Sequence, residues 1–167
     1  MSEKLTQKDV DRIQAEIEER KLVERPRLLE AVKEARAQGD LSENFEYTAA
    51  KREKNRNESR IRYLERVLKN ASIVRDYSRD DEVGIEKTVR VMFEEDESEE
   101  EYRIVTPIRC NSLENKISIE SPIGKALMGH RAGDRVEVLL PNGAVSVLQI
   151  LSISNTVDDG TDRLRSY

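Results

Sequence analysis

The stretch Gly39-Asp40-Leu41-Ser42-Glu43-Asn44-Phe45-Glu46-Tyr47, continuing as TAAKREKNRNESRIRYLERVLKNA over residues 48–71, decides the fold of the first half of the chain. Gly39 supplies the permissive backbone of a helix end. From about Ser42 to Ala71 the spacing of Phe45, Ala49, Ile61, Leu64 and Leu68 predicts one long helix with these residues turned inward. Upstream, Thr6 followed by Asp9 has the pattern of an N-terminal cap, after which Val10, Ile13 and Ile17 recur at helical spacing. The pattern resumes at Leu28, Leu29, Val32 and Ala35, with Pro26 between the two runs. Proline well past a first turn removes a backbone donor and kinks or breaks a helix, so a bent first arm is expected. Two arms of roughly 30 residues, at about 1.5 Å per residue, make an antiparallel hairpin on the order of 45 Å long. A rod of that length cannot be buried in a small protein and must project.

The chain has 167 residues, 29 basic and 34 acidic, for a net charge of −5. That size accommodates one or two small domains. No stretch approaches the roughly 18 consecutive apolar residues of a membrane helix, and the opening MSEKLTQKDV lacks the apolar core of a secretory signal. No membrane partner is expected. Cys110 is the only cysteine and His130 the only histidine, so an internal disulfide is excluded and a zinc site built from this chain alone is not expected. Lone cysteine usage fits a reducing cytoplasm.

The average charge conceals two unlike halves. Residues 1–77 carry 18 basic and 16 acidic groups, a net of +2, and residues 78–167 carry 11 and 18, a net of −7. Up to Tyr77 there are one proline and one glycine, whereas the other three prolines and six glycines all follow position 83. Long helices therefore give way to a turn-rich strand region, an α+β chain. The division expected is a helical hairpin over 1–77, a linker at 78–86 (SRDDEVGIE), a β-rich domain over 87–154 and a mobile tail at 155–167. Strands are predicted at Thr88–Glu94, Tyr102–Val105, Lys116–Ile119, Asp134–Leu140 and Ala144–Ile153, with an acidic loop at Glu95–Glu101 and a turn at Pro141-Asn142-Gly143. Ser121 before Pro122 opens one short helix ending near Gly129.

Two features of the hairpin carry chemistry. Asp40 and Glu43 have the spacing of a capping box at the start of the second helix, and the same spacing could bring two carboxylates toward one hard cation such as Mg²⁺. Two carboxylates are too few for a tight independent site, so any such ion would be completed by a partner. Behind them, Lys51 to Arg66 holds seven basic residues against three acidic ones. Arg52, Arg56 and Arg60, spaced four apart, form a slowly drifting stripe. Such a stripe is either a solvated face laced with Glu–Arg pairs or a patch that attracts phosphate, although no aromatic residues are interleaved for base stacking. Periodicity alone also allows a dimerising coiled coil or a chaperone arm.

The segments GDLSENFEYTAAK and ESRIRYLERVLKNASIV, followed by EYRIV, LENKISIESPIGKALMG and AGDRVEVLLPNG in that order, resemble the bacterial Gre transcript cleavage factors of the GreA and GreB types. The likeness spans about residues 1–154. ESRIRYLERVLKNASIV with DYS after it leans toward GreB, and SPIGKALMG with AGDRVEVLLPNG toward GreA. The resemblance implies a non-enzymatic elongation factor that binds bacterial RNA polymerase and inserts its hairpin through the secondary channel. It would stimulate the polymerase's own cleavage of the nascent RNA 3′ end in backtracked complexes. Asp40 and Glu43 match the family's tip acids, which share a Mg²⁺ with the polymerase active site; none is expected to bind tightly to the free protein. Ser42, Asn44 and Tyr47 match neighbouring tip positions that would shape the turn or touch substrate rather than bind metal. Lys51, Arg52, Lys54, Arg56 and Arg60 match the patch that contacts extruded RNA. The second half would be an FKBP-like domain that docks on the polymerase through Ser121, Pro122, Ile123 and Lys125, with a monomer in the bound state. Prolyl isomerase activity does not follow from such a fold. A paralogue that occupies the channel and inhibits is the alternative within this group. The chain departs from the family pattern at Thr106–Ser112 (TPIRCNS), where an acidic stretch is expected, and at Asn155–Tyr167, which extends past the usual end.

Overall fold

The computed structural model describes residues 2–39, 44–156 and 160–166. The chain divides into two compact units: residues 7–72 form the first, and residues 73–166 with 4–6 form the second. No helix among the described residues is long and apolar enough to cross a membrane.

The first arm is α1 (Gln7–Glu19), a π-helical turn (Arg20–Glu24) and α2 (Arg25–Arg36). The disruption expected at Pro26 takes a definite form. The ring of a proline obstructs the carbonyl one turn earlier, and the helix relieves this by widening just before it. The Arg25 N–H reaches back five residues to the Arg20 carbonyl. The second arm, α3, is one continuous helix over Phe45–Lys69. At roughly 1.5 Å per residue its 25 residues span about 37 Å. Short strands β1 (Glu3–Leu5) and β2 (Ala71–Ile73) form a two-stranded ribbon.

The arms meet along Ile13, Leu28, Ala35, Ile61, Leu64 and Val67, all buried. Three residues expected on this seam are elsewhere. Phe45 is 86% exposed, Leu29 is 47% exposed, and Ala49 faces solvent. Helical drift over 25 residues carries a four-residue repeat off the contact line, so the apolar spacing near the start of α3 does not continue the seam below it. The midsection is joined by polar groups. The Asn57 amide donates to the Arg20 carbonyl at 3.2 Å and its oxygen accepts from the Arg20 guanidinium at 3.0 Å. Arg25 forms a two-pronged pair with Glu58 at 2.7 and 2.9 Å, and Lys21 meets Glu65 at 2.5 Å. This explains why the seam reads as interrupted: the arms are matched by hydrogen bonds opposite the π turn.

The second unit is a five-stranded mixed sheet in the order β5-β4-β3-β7-β6, built from β3 (Lys87–Phe93), β4 (Glu99–Val105), β5 (Lys116–Ser118), β6 (Arg135–Leu139) and β7 (Val145–Asn155). Only β4 and β5 run parallel; their link contains two 3₁₀ turns, Pro107–Arg109 and Ser112–Glu114. Alternation along the strands buries Val89, Val91, Val136, Val138, Leu148 and Ile150 on one face, where Leu127 of α4 (Pro122–Leu127) joins them. The turn at Pro141–Gly143 joins β6 to β7, closed by the Leu140 N–H donating to the Ala144 carbonyl at 2.8 Å. The protein is α+β, as its composition predicts.

Three expectations for this half need correction. Residues Glu99–Glu101 belong to β4, where they pair with β3, and not to an acidic loop. The segment 78–86 is not a free linker: Val83 and Ile85 are buried, and the Val83 N–H donates to the His130 carbonyl at 2.8 Å. Lys87, itself buried, caps this segment by donating to the carbonyls of Arg79 and Glu82. The residues after 159 are not a free tail either, because the Asp162 side chain is buried among the guanidinium and ammonium groups of Arg103, Arg109 and Lys116. A charge-rich, glycine-containing stretch reads as flexible until its opposite charges, distant in sequence, are known.

Candidate functional site

Asp40, Ser42 and Glu43, the candidate tip residues, lie outside the described residues. The residues flanking them are placed. Asn44 is the cap of α3: it has extended backbone, and its side-chain oxygen accepts from the Tyr47 N–H at 3.0 Å. Its amide nitrogen also donates to the Ala35 carbonyl, at 2.6 Å. One side chain thus closes the end of α2 and the start of α3 together. The capping residue is Asn44, three residues later than the helix start predicted at Ser42 would allow.

Tyr47 stands one turn into α3 between two cations. The Arg36 guanidinium lies 5.6 Å from its ring centre and the Lys51 ammonium 6.0 Å. A hydrogen bond from Arg36, aided by the charge of Lys51, holds the phenol below its ordinary pKa. A shallow open groove runs along α3 from this point, lined by Tyr47, Thr48, Lys51, Arg52, Asn55, Arg56 and Ser59. It presents one aromatic ring, three cations and several neutral hydrogen-bonding side chains, a donor-rich surface suited to a phosphate backbone.

The basic stripe divides in the structure. Lys51, Arg52 and Arg56 line the groove and are exposed. Lys54 is half-buried and lies outside it. Arg60 is turned away: its side chain is only 10% exposed, and its Nε donates to Glu16 of the facing arm at 3.0 Å. Glu16 also accepts from Arg20 at 2.9 Å. The four-residue spacing of Arg52, Arg56 and Arg60 is regular, but at 3.6 residues per turn a helix turns by about 40° more than a full circle over four residues. By the third position the drift has brought the side chain into the contact between arms. Arg60 is therefore a strut of the hairpin and leaves the candidate RNA surface. Its neighbour in this role, Asn57, was not identified from sequence; of the two amides in the basic run, Asn55 is exposed and Asn57 buried, and residue type does not tell them apart.

At the other candidate surface, the Ser121 hydroxyl caps α4 by accepting from the Gly124 N–H at 3.0 Å and donates to the Ser118 carbonyl at 2.6 Å. Pro122 occupies the first turn, where its missing N–H costs nothing. Pro122 and Lys125 are exposed, while Ile123 packs partly on the sheet core. Gly124 is a residue that the sequence reading missed. A Cβ there would sit far inside van der Waals contact of the Ser118 carbonyl oxygen, which belongs to the backbone and cannot rotate away. Gly124→Ala is expected to destabilise the second unit by about 1–3 kcal/mol, read as a lowered thermal midpoint.

Among the described residues no three His, Cys, Asp or Glu side chains are grouped to hold a metal ion. The only carboxylates of the candidate metal pair are those of Asp40 and Glu43.

The sequence matches the family model for the N-terminal domain of transcription elongation factors GreA and GreB over residues 3–73. It matches the C-terminal model of the same factors over residues 78–155. The chain belongs to the GreA/GreB family of transcription elongation factors. Transcription elongation factor GreA of Staphylococcus saprophyticus is 42% identical over 149 residues, covering 89% of this chain and 94% of that protein. The GreA of Thermotoga neapolitana is 40% identical over 152 residues, covering 91% and 97%. Among solved structures, GreA factor homolog 1 of Thermus thermophilus covers 93% of this chain and all of its own, at 28% identity and a TM-score of 0.43. Both halves of the chain, the hairpin and the sheet unit, thus fall within one family.

Proposed function

We propose that this member of the Gre family docks on bacterial RNA polymerase as a monomer and presents the connection between α2 and α3 to the polymerase active centre, stimulating cleavage of the RNA 3′ end in backtracked complexes. The observation that carries the reading is the hairpin itself: two arms fastened to each other along their length, with Asp40 and Glu43 in the connection and the open face of α3 basic just behind it. A carboxylate pair delivered on a rigid arm suits a task in which another macromolecule supplies the remaining ligands.

Asp40 and Glu43 fit a shared Mg²⁺ as hard oxygen donors, and their number fits an ion completed by the polymerase. Bound between the two proteins, such an ion would help to activate a water nucleophile. This chain's residues contribute position and charge. Asn44 caps α3 and bonds the Ala35 carbonyl of α2, so the residues that flank the acids in sequence are tied to each other. Lys51, Arg52 and Arg56 offer an electropositive track along which an extruded RNA strand is retained by its phosphates. Pro122 and Lys125 form the exposed part of the docking helix. The protein is then no enzyme by itself; bond cleavage belongs to the polymerase.

The groove gives a direct test. The double variant Arg52→Glu, Arg56→Glu should raise the concentration needed for half-maximal stimulation of cleavage by about 10-fold or more, with a shallower dependence on salt than the wild type. An unchanged salt dependence would remove the groove from the RNA path. A channel-occupying inhibitor has no use for retained tip acids, and an elongation assay separates the two readings by the sign of the effect.

A further inference from the structure

The C-terminal segment is anchored on the second unit through a buried carboxylate, Asp162. Arg109, in the 3₁₀ turn Pro107–Arg109, is fully buried, and its guanidinium faces Asp162 at 3.2 Å. Arg103 on β4 reaches the same carboxylate at 2.7 Å and Lys116 on β5 at 2.9 Å. We propose that Arg103, Arg109 and Lys116 form a binding site for an acidic peptide segment, and that residues 160–166 of the chain itself occupy it as an exchangeable ligand.

Three observations point to a built site with a detachable occupant. The cations come from three separate elements, two neighbouring strands in register at Arg103 and Lys116 and the 3₁₀ turn at Arg109, and converge on one carboxylate. Two of them are also held independently of the tail, because Glu86 pairs with Arg103 at 2.8 Å and with Arg109. To do so Glu86 adopts a left-handed backbone, with φ 71°, that a non-glycine residue rarely takes. Among the described ion pairs, those of the three cations with Glu86 and Glu114 remain when Asp162 is removed. Finally, the segment is engaged in the manner of a bound peptide. Asp162 is buried while Gly160, Thr161, Arg163 and Ser166 are exposed, and the Arg165 N–H donates to the Ile108 carbonyl at 2.7 Å. A buried acidic anchor and a main-chain bond beside it are among the contacts by which extended peptides are held in pockets. The ligand class is an extended segment bearing an aspartate or glutamate.

The test uses the full chain. Asp162→Asn should free the segment, so that a fluorescent peptide of residues 160–167 (GTDRLRSY) binds the variant saturably. The same peptide should bind the wild type, whose site is filled, about 10-fold more weakly, and the peptide carrying Asp162→Asn should bind the variant about 10-fold more weakly. Absence of binding to the variant, or equal binding of both peptides, overturns the proposal. Hydrogen exchange on the same variant provides the second measure. The Arg165 amide should lose protection while those of Val89 and Val91 keep theirs; loss of protection throughout the sheet would mean that the segment is part of the fold and not a ligand.

Discussion

The double variant Asp40→Ala, Glu43→Ala is expected to lower stimulated cleavage of backtracked RNA by about 100-fold or more while leaving polymerase binding unchanged. The two properties should separate because the proposed function assigns them to different units. In the proposed function docking is assigned to α4 of the second unit, and the carboxylates belong to the hairpin sequence. If the carboxylates only capped α3, their loss would lower hairpin stability and little else. Asn44 already supplies that cap, accepting from the Tyr47 N–H and donating to the Ala35 carbonyl. A stability change small beside the activity change therefore identifies a chemical role. Cleavage assays with each single variant, at saturating factor, show whether both acids are needed.

The second large effect concerns Arg60. Its substitution by Ala should cost about 2–4 kcal/mol of hairpin stability, because it removes one partner of a largely buried pair and leaves Glu16 with Arg20 alone. Arg52→Ala and Arg56→Ala, on the open face, should each stay within about 0.5 kcal/mol of the wild type. Urea unfolding followed by helical circular dichroism reads both. The acid dependence gives an independent check. Burial pushes the Glu16 carboxyl up, but hydrogen bonds from Arg60 and Arg20 outweigh it and leave the group below its ordinary value of 4.5. A carboxyl with a depressed folded pKa contributes its stabilisation fully above the ordinary value and loses it as pH falls through the folded one. The difference between wild type and Arg60→Ala should therefore narrow in acid. A difference independent of pH would assign Arg60 a packing role only.

The long helical arms, the α+β division and most strands were legible because each depends on local periodicity, which the sequence displays directly. Pro26 announced a disruption, and what periodicity could not supply was its form: a π turn whose carbonyl at Arg20 also receives the Asn57 amide from the other arm. The same limit applies to Arg60. Its type and spacing match a phosphate-binding stripe, and only the position of Glu16, 44 residues away in the other arm, turns it into a strut. Segments 78–86 and 160–166 read as flexible for a related reason. Their fixed points, His130 for Val83 and the Arg103, Arg109 and Lys116 trio for Asp162, are remote in sequence and carry no local mark. Gly124 was missed because its requirement comes from a neighbouring carbonyl, not from its own backbone angles. Asp40 and Glu43 are candidates only through the resemblance to the Gre motif, since their spacing alone equally suits a helix cap, and they lie outside the described residues.

The most direct measurement adds the purified protein to a stalled, backtracked RNA polymerase complex whose RNA is labelled at the 3′ end. Rapid release of labelled 3′ fragments is expected in the presence of Mg²⁺, followed by resumed elongation when nucleotides are supplied. Binding of the protein to the complex without any acceleration of fragment release would contradict the proposed function.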